Sequence, residues 1–102
     1  MKLTLRKAAE NDLGEIVDHY SRISPNLANR FLDDFYALLL RLELHPGIGA
    51  CRYAHLLPDH SLRFGQLAHF PFLLFYRWNE VLVDILRILH ERRDLPAELT
   101  FQ

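Results

Sequence analysis

A chain of 102 residues, 50% hydrophobic and 25% charged, is long enough for one domain with a real core and too short for two domains, and its ordinary globular composition argues against disorder. The formal net charge of −1 excludes a global pull toward nucleic acid or an anionic membrane, so any such contact has to be a local patch. Cys51 is the only cysteine, which excludes an intrachain disulfide and suits a reducing compartment.

The N-terminal run MKLTLRKAAE has no apolar stretch of the signal-peptide kind, and no apolar run approaches the ~18 residues of a membrane span. The chain is therefore expected in the cytoplasm, without a membrane partner. Leu3 and Leu5 alternate with Lys2, Thr4 and Arg6, predicting a short strand with one wet face. The period then changes: Leu13, Ile16, Val17, Tyr20 and Ile23 recur at helical spacing while Asp12, Glu15 and Asp18 turn the other way. Ser24 and Pro25 end that helix and begin the next, Ser as a cap for orphan amides and Pro as a first-turn residue.

The second helix is predicted from Pro25 to Leu44, stopped by Pro46, Gly47 and Gly49. Leu27, Ala28, Phe31, Phe35, Leu38, Leu39 and Leu42 make its core stripe. Leu32, Tyr36, Leu40 and Leu44 widen the apolar surface beyond a single face.

Three strands are predicted after a Gly- and Pro-containing loop, at Ser61–Gly65, Phe72–Trp78 and Val81–Leu89, with Asn79-Glu80 as a hairpin turn. In the last strand Val81, Val83, Ile85 and Leu89 are expected on one face and Leu82, Leu86 and Ile88 on the other, the mark of an interior strand. The fold class is α+β: an N-terminal strand and a helical hairpin packed on one face of an antiparallel sheet. Two helices cover one side of such a sheet. The other side, together with the surplus on the second helix, is expected to leave an apolar surface that a partner covers.

Arg63, Arg77, Arg87, Arg92 and Arg93 lie on or just beyond the predicted strands. Converging at a sheet rim, they would grip a phosphate backbone or an acidic surface through planar, bidentate forks. Alternatively they pair with Asp84, Glu91 and Asp94. His90 follows the last strand directly, either as an acid–base group or as a half-buried ring bonded to backbone. Cys51, His55, His60 and His69 have no recognised ligand spacing, and no glycine-rich phosphate loop is present, so no metal or cofactor is expected.

The succession Ala9-x-x-Asp12-Leu13-x-x-Ile16, Ala28-x-Arg30-Phe31, Pro46-x-x-Gly49, Leu62-Arg63, Phe70-Pro71-Phe72-x-x-Phe75-Tyr76-Arg77 and Ile85-Leu86-Arg87-Ile88-Leu89-His90-x-x-Arg93-Asp94 resembles the ParE branch of the ParE/RelE toxin superfamily. The likeness covers nearly the whole chain in order and implies one toxin domain over residues 1–102. It implies the helical hairpin and sheet already reached from periodicity, and a place in a plasmid-stabilising toxin–antitoxin module. The cognate, ParD-like antitoxin would lay an amphipathic segment on apolar surface such as Leu32, Tyr36, Leu40 and Leu44.

What the resemblance implies about activity divides by branch. ParE-like members inhibit DNA gyrase as binding proteins without catalysing a reaction, and Arg63, Arg77, Arg92 and Arg93 are the residues expected at the target. RelE-like members are ribosome-dependent mRNA endoribonucleases, for which Arg63, His90 and Arg92 would be the catalytic set. The nuclease pattern is incomplete here. Asp59 and Ser61 stand where lysines are expected, Leu95 to Gln102 contains no tyrosine, and the chain's only lysines are Lys2 and Lys7. The gyrase branch is the expectation, with a homodimer as one way of covering the apolar surface and no sequence-specific nucleic-acid binding. Lys7 also replaces the Ser or Thr common before the first helix, which weakens its cap.

Overall fold

The computed structural model describes residues 2–93 and 95–99. Along them run β1 (Lys2–Leu5), α1 (Lys7–Ile23), α2 (Pro25–Leu44), short 3-10 turns at Pro46–Ile48 and Ala54–Leu56, β2 (Arg63–Gln66), β3 (Phe72–Trp78), β4 (Leu82–His90) and a last helical turn, α3 (Leu95–Glu98). Ser24 separates the long helices in extended conformation, and its hydroxyl accepts from Leu27 N at 3.4 Å. The residue before α1 is Arg6, not Lys7, which is the first residue of the helix, and the Arg6 side chain makes no capping bond.

The strand order β1-β4-β3-β2 places β4 inside, as its two apolar faces demand. β2, β3 and β4 are antiparallel, but β1 runs parallel to β4, with Lys2 opposite Leu82 and Leu5 opposite Ile85, so the sheet is mixed rather than antiparallel throughout. No tight turn links β1 to β4; the whole helical hairpin and the β2–β3 region intervene, and that length permits a parallel return. β3 and β4 are joined through Asn79, whose Oδ1 accepts from Val81 N and Leu82 N at 2.8 and 2.9 Å. Val81 therefore belongs to the turn and is exposed, not a core residue of the strand.

Strict alternation fails in β4. Tyr76 pairs with Ile85 and Phe75 with Arg87, leaving Leu86 as an extra residue, a β-bulge. Val83, Ile85 and Ile88 consequently all join the core under the helices, while Leu86 and Leu89 join a second core on the far face. The expected sides of Ile88 and Leu89 are thus exchanged, and His90 shares a side with Ile88 but not with Leu86.

The first core packs Phe31, Phe35, Leu38 and Leu42 of α2 against Tyr76, Val83 and Ile85. The far face is not bare, contrary to the expectation from two helices. Leu57 and Leu62 of the preceding loop and Leu95 and Leu99 around α3 close over Leu73, Phe75, Leu86 and Leu89. Asp34, a buried carboxylate on α2, accepts from His69 N at 2.9 Å and faces His69 Nδ1 at 3.1 Å, so α2 holds the β2–β3 connection in place.

Tyr76 ties the segment after α2 to the sheet: fully buried, it donates to Pro46 O at 2.6 Å and accepts from Gly49 N at 3.0 Å. Burial raises its pKa above the ordinary 10.0, against a smaller lowering by the Gly49 amide and Arg63. Burial raises Tyr20 as well. A folded-state pKa above the unfolded one contributes stability that is complete below about pH 10 and lost as pH rises through the folded value. The melting temperature is therefore expected to fall above about pH 10, and to fall less in Tyr76→Phe. An equal alkaline fall in that variant would assign the effect to other groups.

Candidate functional site

β1 ends at Leu5, and Arg6 N makes the last bond to that edge of β4, donating to Ile85 O at 2.9 Å. Beyond it the edge is open. Asp12 of α1 fills the gap: its Oδ2 accepts from Ile88 N at 3.0 Å, and its two oxygens take Arg87 Nε at 2.7 Å and Nη2 at 3.0 Å. Arg87 Nη1 also donates to Glu98 O at 3.1 Å, so one guanidinium joins α1, β4 and α3. Its pKa is raised, first by the hydrogen bond to Asp12, against the lowering effect of burial. This arginine belongs to the fold and is not offered to a partner.

The other arginines do not converge. Arg63, on the edge strand β2, sits opposite Tyr76 and donates to Gly49 O at 3.3 Å. Arg77, opposite Asp84, lies 3.6 Å from that carboxylate, which Arg6 also grips through Nε and Nη2 at 3.2 and 2.9 Å. The hydrogen bond to Asp84, then its charge, raises the Arg6 pKa. Arg92 and Arg93 follow the opposite end of β4, about 20 Å or more from Arg77 at ~3.3 Å per strand residue.

At that end His90 stands edge-on to Phe72, with ring centroids 5.3 Å apart, and its Nδ1 accepts from Arg92 N at 3.1 Å. An accepting Nδ1 leaves the proton of the neutral ring on Nε2. This is the half-buried, backbone-bonded histidine of the sequence reading. Arg93 Nη1 is 3.5 Å from Glu98 Oε1, while Arg92 has no side-chain partner among the described residues. Glu91, expected to pair with these arginines, instead accepts from Gln66 Nε2 at 3.0 Å. The expected pairing by Asp94 lies outside the described residues. His90, Arg92 and Arg93 border an open cleft of about 500 Å³ whose other wall is Glu15 and His19 of α1.

The set Arg63, His90 and Arg92 is not assembled. His90 lies opposite Phe72 and Arg63 opposite Tyr76. That offset is about 13 Å along the sheet and, two strands over, about 10 Å across, a separation on the order of 16 Å. A single scissile phosphate needs its acid, base and cation each within hydrogen-bond reach of its own attacking, leaving and non-bridging oxygens, which lie within a few ångströms of one another.

A second surface lies on α2. Tyr36, Leu40 and Leu44 are 57%, 57% and 65% exposed, far more than helix side chains packed on a core. Leu32, expected with them, is partly buried and packs against the core. Ile48, 55% exposed, and Trp78, 39% exposed, extend the patch around the end of the helix, where a side chain at Gly47 would meet the Trp78 ring at 3.7 Å. Sequence reading missed both, although the Pro46-Gly47 turn directly after Leu44 is the signal that the chain folds back there.

Among the described residues no three His, Cys, Asp or Glu side chains gather as a metal site requires, and no helix is long and apolar enough to cross a membrane.

Known proteins resemble this chain at two levels. The model of the family described as ParE toxin of type II toxin-antitoxin system, parDE, matches residues 3–95. Among solved structures, a chain of the chromosomal ParDE TA system from P. aeruginosa is 30% identical and superposes with a TM-score of 0.72, over 88% of this chain and 95% of that one. No curated protein matches. With a family match over nearly the full sequence and the same fold in a ParDE structure, the chain belongs to the ParE toxin family of the type II toxin–antitoxin system parDE, and an antitoxin is its implied partner.

Proposed function

We propose that this toxin is a non-enzymatic inhibitor of DNA gyrase, that it meets its target through Arg92 and Arg93, and that its antitoxin, ParD-like, neutralises it by covering Tyr36, Leu40 and Leu44. The observation that carries the non-enzymatic reading is the scatter of the nuclease-type residues, with Arg63 about 16 Å from His90 along the sheet. Arg63 and Arg77 are already engaged by Gly49 O and Asp84. Of the four arginines expected at the target, Arg92 and Arg93 have most of their donors left to offer, and arginine is enriched where partners bind tightly. A near-neutral chain with only two lysines also has little to attract it to a ribosome. The whole chain is read as one toxin unit acting in the cytoplasm.

The test is a supercoiling assay with purified toxin. Inhibition or trapped cleaved DNA is expected, and normal supercoiling at excess toxin would remove the gyrase reading. Ribosome-bound transcripts cut by the toxin, with loss in Arg63→Ala, would install the endoribonuclease in its place.

Arg92→Ala combined with Arg93→Ala is expected to leave the fold intact. Both residues are exposed, and the 3.5 Å contact of Arg93 with Glu98 is a surface pair worth about 0–1 kcal/mol. The concentration for half-inhibition should rise by about tenfold or more, the loss of a little over 1.4 kcal/mol of binding. Unfolding of the double variant, read by circular dichroism, would instead make these residues part of the scaffold.

A further inference from the structure

The apolar row on α2 is self-complementary. Leu32, Tyr36, Leu40 and Leu44 follow one another at intervals of four, a ridge along the helix with its midpoint between Tyr36 and Leu40. A two-fold axis through that midpoint sets Tyr36 against Leu40 of a second copy and Leu44 against Leu32 of the second copy. The adjoining row is Asp33, Ala37 and Arg41, all exposed, with the acid near one end and the base near the other. Neither Asp33 nor Arg41 has an ion-pair partner among the described residues. The same axis brings Asp33 beside Arg41 of the second copy, twice by symmetry. Glu43 stands on the opposite flank of the ridge and does not oppose Asp33 in the antiparallel alignment.

We propose that, without its antitoxin, the toxin forms a symmetric dimer by packing α2 antiparallel against α2 of a second copy. The exposed parts of Tyr36, Leu40, Leu44 and Ile48 amount to several hundred Å² of apolar surface. A standard interface buries about 800 Å² on each partner, so this dimer is small and dissociates in the micromolar range. An occupant that buries more of the same row displaces the second copy. Self-association and neutralisation are then mutually exclusive, and the toxin keeps its apolar face out of water until the antitoxin arrives. The dimer does not depend on what the toxin's target is.

Sedimentation equilibrium of the purified full-length toxin, free of antitoxin, tests this from low micromolar to about 100 µM. A reversible monomer–dimer equilibrium is expected. Leu40→Glu, at an exposed site that leaves the far-ultraviolet circular dichroism unchanged, should weaken it by about a hundredfold, and Asp33→Arg or Arg41→Asp alone by about tenfold. Combining Asp33→Arg with Arg41→Asp restores each pair with its charges exchanged and should recover most of the affinity. A monomer throughout, a dimer indifferent to Leu40→Glu, or a double charge exchange no better than the single changes would each overturn the antiparallel α2 dimer.

Discussion

Arg87→Ala is expected to cost about 2–4 kcal/mol of folding free energy, somewhat below the 3–5 kcal/mol of a fully buried pair because the guanidinium retains 22% exposure and its partner carboxylate 12%. The change removes both bonds to Asp12 and the bond to Glu98 O. It leaves Asp12 with the Ile88 amide as its remaining bond and most of its charge uncompensated. The loss is spread over three elements, since α3 holds Leu95 and Leu99 over the far core and α1 rests on the open edge of β4. Arg87→Lys should recover little, because an ammonium cannot reproduce the two-pronged contact with Asp12 while also reaching the Glu98 carbonyl. Urea unfolding measures both variants; a loss under about 1 kcal/mol would mean that the pair is no more than a surface contact.

Gly49→Ala is expected to be nearly as severe, toward the upper end of the ~1–3 kcal/mol range for overpacking. The backbone there, with φ −66° and ψ 153°, suits any residue, so the requirement for glycine is one of space. A Cβ would collide with the Tyr76 hydroxyl and stand 2.8 Å from ring atom Cε1. Tyr76 is fully buried and cannot swing away, so the clash pushes out the loop that carries Ile48 and that receives Arg63. Tyr76→Phe alone costs about 1–3 kcal/mol by leaving Pro46 O and Gly49 N without their partner. Combined with Gly49→Ala it should cost less than the sum, because the colliding hydroxyl is gone, but not vanish, because Cε1 remains too close. Strict additivity of the two losses in thermal unfolding would show that they do not meet.

The long elements were legible in the chain because their signals are local. Ser24-Pro25 marks the junction of the helices and Pro46 the end of α2, and both boundaries fall where those residues predict. The run Phe72–Trp78 is likewise a strand from end to end. The surplus of apolar residues on α2 was readable for three of the four, since Tyr36, Leu40 and Leu44 cannot share the core face already filled by Phe31, Phe35, Leu38 and Leu42, whereas Leu32 packs at its margin. The cover of the far face was not readable: it comes from an irregular loop and the four-residue α3, neither long enough to show a period. Nor was the separation of the arginines. Arg77 and Arg92 are near neighbours in the list of residues, but a hairpin strand lies between them and carries them to opposite ends of the sheet. The Asp12–Arg87 pair joins positions 75 residues apart, and nothing local announces it.

The extra residue in β4 works as a change of phase. Before Leu86, odd-numbered positions such as Val83 and Ile85 answer to the helices; after it, even-numbered Ile88 does, and odd-numbered Leu89 answers to the C-terminal layer. Losing Leu86 would join the two halves into one unbroken rhythm with Ile88 still under the helices and Leu89 still on the far face, whereas keeping every residue and flattening the bulge would send Ile88 and Leu89 to each other's layer. In this strand, pairing therefore carries information that composition does not. Two relatives with the same residues between Val83 and His90, one pairing with the bulge and one without it, would differ in which side of the sheet presents the histidine and the arginines that follow it.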